Sequence, residues 1–297
     1  MKKIKYMRLL YYIIIIIIII YSFNNWDSIY FSLEKIHLNI LILIFLNIIP
    51  YIFVSYIFWN LCNILGKKIR ILESFFLSAV NSFMNYISPG KVGLIYRAIY
   101  LKNNYNIGYF EYSIATISIQ AISFASNLLF CFIISTLTKP ELKNLSFYTY
   151  SPIIILATLF ISIYLVLKLT KDNKKFITVK DSIKKITSNK KLLFSLILMN
   201  FLHLSSISYI LYLTFTFSGY EVDFTDILFV RTFANIIIFF SIIPANLGIL
   251  EGAISLMSSV VGVSFDNAVS ITIIDRTASF ITISILSIIG LTHLNKK

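Results

Sequence analysis

Long, nearly charge-free apolar runs recur along this chain. A helix of about 20 apolar residues crosses the roughly 30 Å hydrocarbon core of a bilayer. Runs from about Ile36 to Leu61, Phe110 to Leu137, Leu192 to Phe217 and Ala268 to Leu291 reach that length. A shorter one covers Pro152 to Leu167. Of the 297 residues, 58% are hydrophobic, more than a soluble domain needs. The expected fold class is an all-α polytopic membrane protein, with residues 1–297 as a single integral membrane domain. No stretch outside the spans has the length of an ordinary soluble domain.

Two short stretches interrupt this pattern in the same way. Ser88 to Ala98 reads SPGKVGLIYRA, and Ile243 to Ala253 reads IPANLGILEGA. Proline lacks an amide hydrogen and breaks or kinks a helix, and glycine permits unusual dihedrals and close backbone approach. Pro89, Gly90 and Gly93 mark the first break, and Pro244, Gly248 and Gly252 the second. At an offset of 155 residues Pro89 meets Pro244, Gly93 meets Gly248 and Ala98 meets Ala253. Residues 71–137 and 226–291 are therefore expected to form two repeat units. Broken backbone at membrane depth survives only where protein or a water-filled cavity satisfies it. Opposed repeats with such breaks place a substrate site near the midplane.

Charge sets the expected topology. Lys and Arg accumulate in short cytoplasmic loops. Lys2, Lys3, Lys5 and Arg8 precede a retained first helix, Leu9 to Phe23, which is followed by a loop with Asp27 and Glu34. Lys67, Lys68 and Arg70 follow the second span, and nine lysines lie between residues 168 and 191. All three basic stretches fall inside if the two broken units are re-entrant. The expected architecture is thus about six full crossings plus two re-entrant hairpins in an inverted repeat. The alternative, eight crossings, puts the most basic loop outside. N- and C-termini are expected in the cytoplasm and the chain in the cytoplasmic membrane. The net charge of +13 fits anionic headgroups at the 168–191 loop, not nucleic acid. A docking site there for a lipid-modifying enzyme is the minor alternative.

An ionisable group inside a bilayer costs several kcal/mol unless it is paired or hydrated. Lys91, Arg97, Arg231, Glu251, Asp275 and Arg276 all sit in or beside apolar helical sequence. Lys91, Arg97, Glu251, Asp275 and Arg276 are the candidate substrate-binding residues. Arg97 and Lys91 suit a lipid phosphate. Glu251 suits a cationic headgroup, or pairs with Arg97 across the interface of the repeats. His203 lies mid-span and is expected at a polar helix contact. Two separated cysteines, Cys62 and Cys131, and three scattered histidines form no metal or disulfide signature. No nucleophile–base set and no phosphate-binding Gly-rich motif appears. Neither enzymatic activity nor a cofactor is expected.

The break residues resemble the transmembrane, flippase-like region of the lysylphosphatidylglycerol synthase family. Pro89, Gly90, Gly93, Arg97 and Ala98 match its first-half pattern. Pro244, Gly248, Glu251 and Gly252, with Asp275-Arg276 later, match its second half. Pro-Ala-Asn stands where many relatives have a further Gly, and Gln120-Ala121 replaces a charged pair. The resemblance covers about residues 36–291 and lacks the family's aminoacyl-transferase domain. It implies lipid translocation without synthase activity. The leading expectation is a flippase-like transporter of an aminoacylated or anionic phospholipid, or of a glycolipid. A transporter of small anionic solutes and a non-transporting scaffold for a lipid-modifying enzyme are the alternatives.

Overall fold

The computed structural model describes residues 26–88, 91–137, 186–239 and 246–295. The first helix at Leu9–Phe23, the tips of both breaks (Pro89, Gly90 and Pro244), the span at 152–167, most of the lysine-rich loop and Lys296–Lys297 lie outside them. Four described helices are long and apolar enough to cross a membrane: Asn39–Ile64, Tyr109–Leu137, Lys190–Phe217 and Phe265–Leu294. The protein is an all-α polytopic membrane protein.

In chain order the helices are α1 (Trp26–Ile36), α2 (Asn39–Leu46), α3 (Ile48–Ile64), α4 (Ile71–Ile87), α5 (Val92–Tyr105) and α6 (Tyr109–Leu137). After the undescribed segment come α7 (Lys190–Phe217), α8 (Phe224–Phe239), α9 (Ile249–Val260) and α10 (Phe265–Leu294). The region of Glu34, expected as loop, is helical. Ile29, Ser32 and Ile36 recur at helical spacing and are buried, so α1 has one packed face. The second span is split at Asn47 into α2 and α3. Pro50 occupies the first turn of α3, where an amide hydrogen has no intrahelical partner to lose. Thr282 of α10 donates to the Ile44 carbonyl at 2.6 Å, tying α10 to this break.

Helix ends follow local chemistry. The Asn189 side chain accepts from the Leu192 amide and caps α7. Two helices close alike. Gly219 follows α7 at φ +86°, and Tyr220 N–H donates to the Phe215 carbonyl at 3.1 Å. Gly66 follows α3 at φ +75°, and Lys67 N–H donates to the Cys62 carbonyl at 3.0 Å. Both are Schellman-type ends, which glycine permits at a left-handed position. Inside the apolar helices, Ser118, Ser208, Thr214, Thr232 and Thr272 donate to carbonyls four residues back. Their hydroxyls thus need no partner in lipid.

Two successions of helices, α4, α5 and α6 and then α8, α9 and α10, each place a short helix in the middle, of 14 and 12 residues. The contacts between the two sets are reciprocal. The first helix of one set, α4, packs along the last of the other, α10. In return α8 packs along α6. The helices that precede the sets, α3 and α7, pack against each other. A two-fold relation between the sets would generate this pattern of exchanged contacts. Two apolar cores accompany the sets. Phe58, Leu77, Leu101 and Ile119 belong to one, and Phe215, Phe229, Ile254 and Ile271 to the other.

Candidate functional site

The first half of the site is built on one stripe of α4. Ser74, Ser78, Asn81 and Asn85 recur every three or four residues and share a face. Ser74 donates to the Ser55 carbonyl of α3 at 2.6 Å. Asn85 Oδ1 accepts the Gly93 amide at 2.9 Å and so holds the start of α5, where amides lack helical partners. A Cβ on residue 93 would lie 1.9 Å from the Asn81 carbonyl oxygen, so only glycine permits this approach. One turn further, Arg97 falls on the same face of α5. Its Nη2 donates to Ser78 Oγ at 3.3 Å, and its guanidinium lies 3.9 Å from the Phe58 ring centroid. Farther along α5, the hydroxyls of Tyr100 and Tyr105 donate to the buried Glu73 carboxylate of α4 at 2.7 and 2.8 Å. The short helix is therefore docked at three levels.

The second half carries two ion pairs. Arg276 Nη1 of α10 lies 2.7 Å from Glu251 Oε1 of α9. Arg231 Nη1 of α8 lies 3.8 Å from Asp275 Oδ2, an ion pair without a hydrogen bond. Asp275 and Arg276 are neighbours on α10 and take partners on two different helices. The Arg276 guanidinium also stands 5.9 Å from the Tyr86 ring centroid of α4.

A cavity of about 610 Å³ joins the halves. It is lined from α3, α4, α5, α6, α7, α8, α9 and α10, with Asn246 just before α9. Lys91, Arg97, Arg231, Asp275 and Arg276 all line it. Lys91 directly precedes α5 in the left-handed conformation, φ +57°. Asn246, 155 residues later, has φ +54°. Glu251 is buried behind the wall, on Arg276.

Four of the five candidate substrate residues thus line one cavity, and Glu251 stands behind its wall. The expected Arg97–Glu251 pair does not form. Helix α10 runs beside α9 and presents Arg276 to Glu251, whereas Arg97 faces α4 and α3. Gly252 is no break either: it lies inside α9, and a Cβ there would meet nothing within 4 Å. Gly93 is a helical residue that allows close packing, and Gly248 is the N-cap of α9 at φ +78°. His203, expected at a helix contact, lines the cavity. The cavity's amides (Asn81, Asn85, Gln120, Asn200, Asn235) and Tyr86 were not anticipated. Their signal is polar spacing within apolar helices. Thr116 and Gln120, Asn200 and His203, Arg231 and Asn235, and Asp275 and Ser279 each sit three or four residues apart.

The model of the lysylphosphatidylglycerol synthase TM region matches residues 9–287. The chain belongs to this family. The match of this lysylphosphatidylglycerol synthase TM family member covers both breaks and every residue that lines the cavity. Comparison with curated proteins and with solved structures gives no match. Family membership and the four apolar spans make the chain a multi-pass membrane protein.

Proposed function

We propose that this protein is a flippase-like transporter. It moves the headgroup of a phospholipid or glycolipid across the cytoplasmic membrane through the cavity between its two helix sets. The observation that carries this reading is the cavity itself. Five Lys, Arg and Asp side chains from both sets line one space of about 610 Å³ inside apolar helices. Ionisable groups at membrane depth mark substrate routes, and the volume falls within the roughly 300–1,000 Å³ of small-ligand sites. The acyl chains stay in lipid while the headgroup crosses.

The helix sets act as opposed halves, each with a broken hairpin, and rocking between them opens the cavity to either side in turn. Helix α4, at 17 residues, stands at the lower limit of what spans a bilayer, which supports re-entry in this reading. The chain is then a carrier, not a catalyst.

Reconstitution of the full chain in liposomes tests the reading. Exchange of labelled lipid between leaflets is expected, with loss in both Arg97→Gln and Lys91→Gln. No exchange by folded protein would sink it.

A further inference from the structure

This inference rests on the lipid-transport reading and narrows the headgroup. The cavity wall holds four cationic side chains, Lys91, Arg97, Arg231 and Arg276, and one carboxylate, Asp275. Asp275 faces Arg231 at 3.8 Å, and Glu251, behind the wall, holds Arg276 at 2.7 Å. Among the described residues, Arg97 and Lys91 have no carboxylate partner. The Oε2 atom of Glu251 lacks a hydrogen bond, but Glu251 is 7% exposed and does not line the cavity, so a ligand meets no free carboxylate there.

The unsatisfied atoms of the wall give a second, independent indication. Arg97 Nε and Arg231 Nε and Nη1 are buried donors without an acceptor. Asn81 Oδ1 is the converse case, and the Thr116 hydroxyl serves either way. Buried donors without acceptors are costly, and more so when charged. They are matched by a ligand rich in oxygen. Guanidinium groups bind phosphate oxygens with two parallel bonds. The surrounding amides of Asn85, Gln120 and Asn235 both donate and accept, which suits hydroxyl groups.

We infer that the cavity selects headgroups that carry an anionic phosphodiester and free hydroxyls, and disfavours those that carry an ammonium. The phosphate sits between Arg97 and Lys91, and the hydroxyls meet the amides. An aminoacyl ammonium would face surplus positive charge with no acid of its own.

The test uses the full chain in phosphatidylcholine vesicles. Acyl-labelled phosphatidylglycerol and acyl-labelled lysylphosphatidylglycerol are compared, with the outer leaflet read by chemical quenching of the label. Phosphatidylglycerol is expected to exchange faster by roughly tenfold or more, the worth of one charged contact. Equal or faster exchange of the lysyl form overturns the headgroup inference and leaves lipid transport standing. Exchange of neither by folded protein removes both. Uptake of glycerol 3-phosphate into the vesicles without lipid exchange assigns the same chemistry to a solute and overturns the lipid source. Gln120→Glu, in protein shown to be folded, adds an acid to the wall at an exposed position. It is expected to shift the preference towards the lysyl form, and an unchanged ratio counts against the inference.

Discussion

Gly93 and Gly252 were both expected to mark breaks, yet they do different things. A methyl at residue 93 would collide with the Asn81 backbone at 1.9 Å, and backbone yields far less readily than a side-chain end. We expect Gly93→Ala to destabilise by about 1–3 kcal/mol or more, as overpacking does. Gly252→Ala fills open space on a helix and is expected to be neutral or to stabilise by up to about 1 kcal/mol. Thermal unfolding of the purified variants in detergent separates them, and equal melting temperatures would refute the distinction. The same measurement addresses Glu251 and Arg276. Removing one partner of a buried pair costs about 3–5 kcal/mol because the other charge is stranded. Glu251→Gln is therefore expected to melt early, and Glu251→Gln with Arg276→Gln to regain part of the loss. If the double variant is worse than either single one, Glu251 and Arg276 do not act as a pair. Such pairings were illegible in the chain. Asp275 and Arg276 are adjacent, so they point about 100° apart on a helix, and sequence spacing is silent about which helix stands on either side.

At the scale of elements, α5 hangs on few contacts, and these make it testable. Tyr100 and Tyr105 both donate to Glu73 from a helix whose opposite face is exposed. A hydrogen bond to a charged group contributes about 1.5–3 kcal/mol. Tyr100→Phe with Tyr105→Phe should speed hydrogen exchange across residues 92–105 while α6 stays protected. Uniform acceleration of the whole chain would instead mean that α5 has no separate stability. The helices themselves were largely legible. The four long described spans ended within about three residues of expectation, because hydropathy and breakers act locally. Two features were misread for one reason. The helix at Trp26–Ile36 and the split at Asn47 both depend on α10, far away in sequence. The cavity's charges were legible from the cost of charge in apolar sequence. Its amides were not singled out, because a lone Asn in a helix usually serves packing.

On the scale of the whole molecule, the exchanged contacts of α4 with α10 and of α6 with α8 form the seam that rocking would open. A Cβ on residue 290 would lie 3.1 Å from the Phe76 Cβ, near disulfide reach. Phe76→Cys with Gly290→Cys should cross-link on oxidation, stop lipid exchange and recover it on reduction. Full exchange by cross-linked protein would show that this seam stays shut during transport. One further asymmetry follows from the two left-handed residues that line the cavity, Lys91 and Asn246. They share a backbone twist and a place in the repeat, but one brings a cation and the other a neutral amide. With opposed halves, an anionic headgroup meets them from opposite leaflets. A carrier with no energy source leaves the distribution between leaflets where thermodynamics puts it, because affinity and conformer population compensate around the cycle. The two mouths would still saturate differently: the Lys91 side fills at a lower surface density of lipid than the Asn246 side.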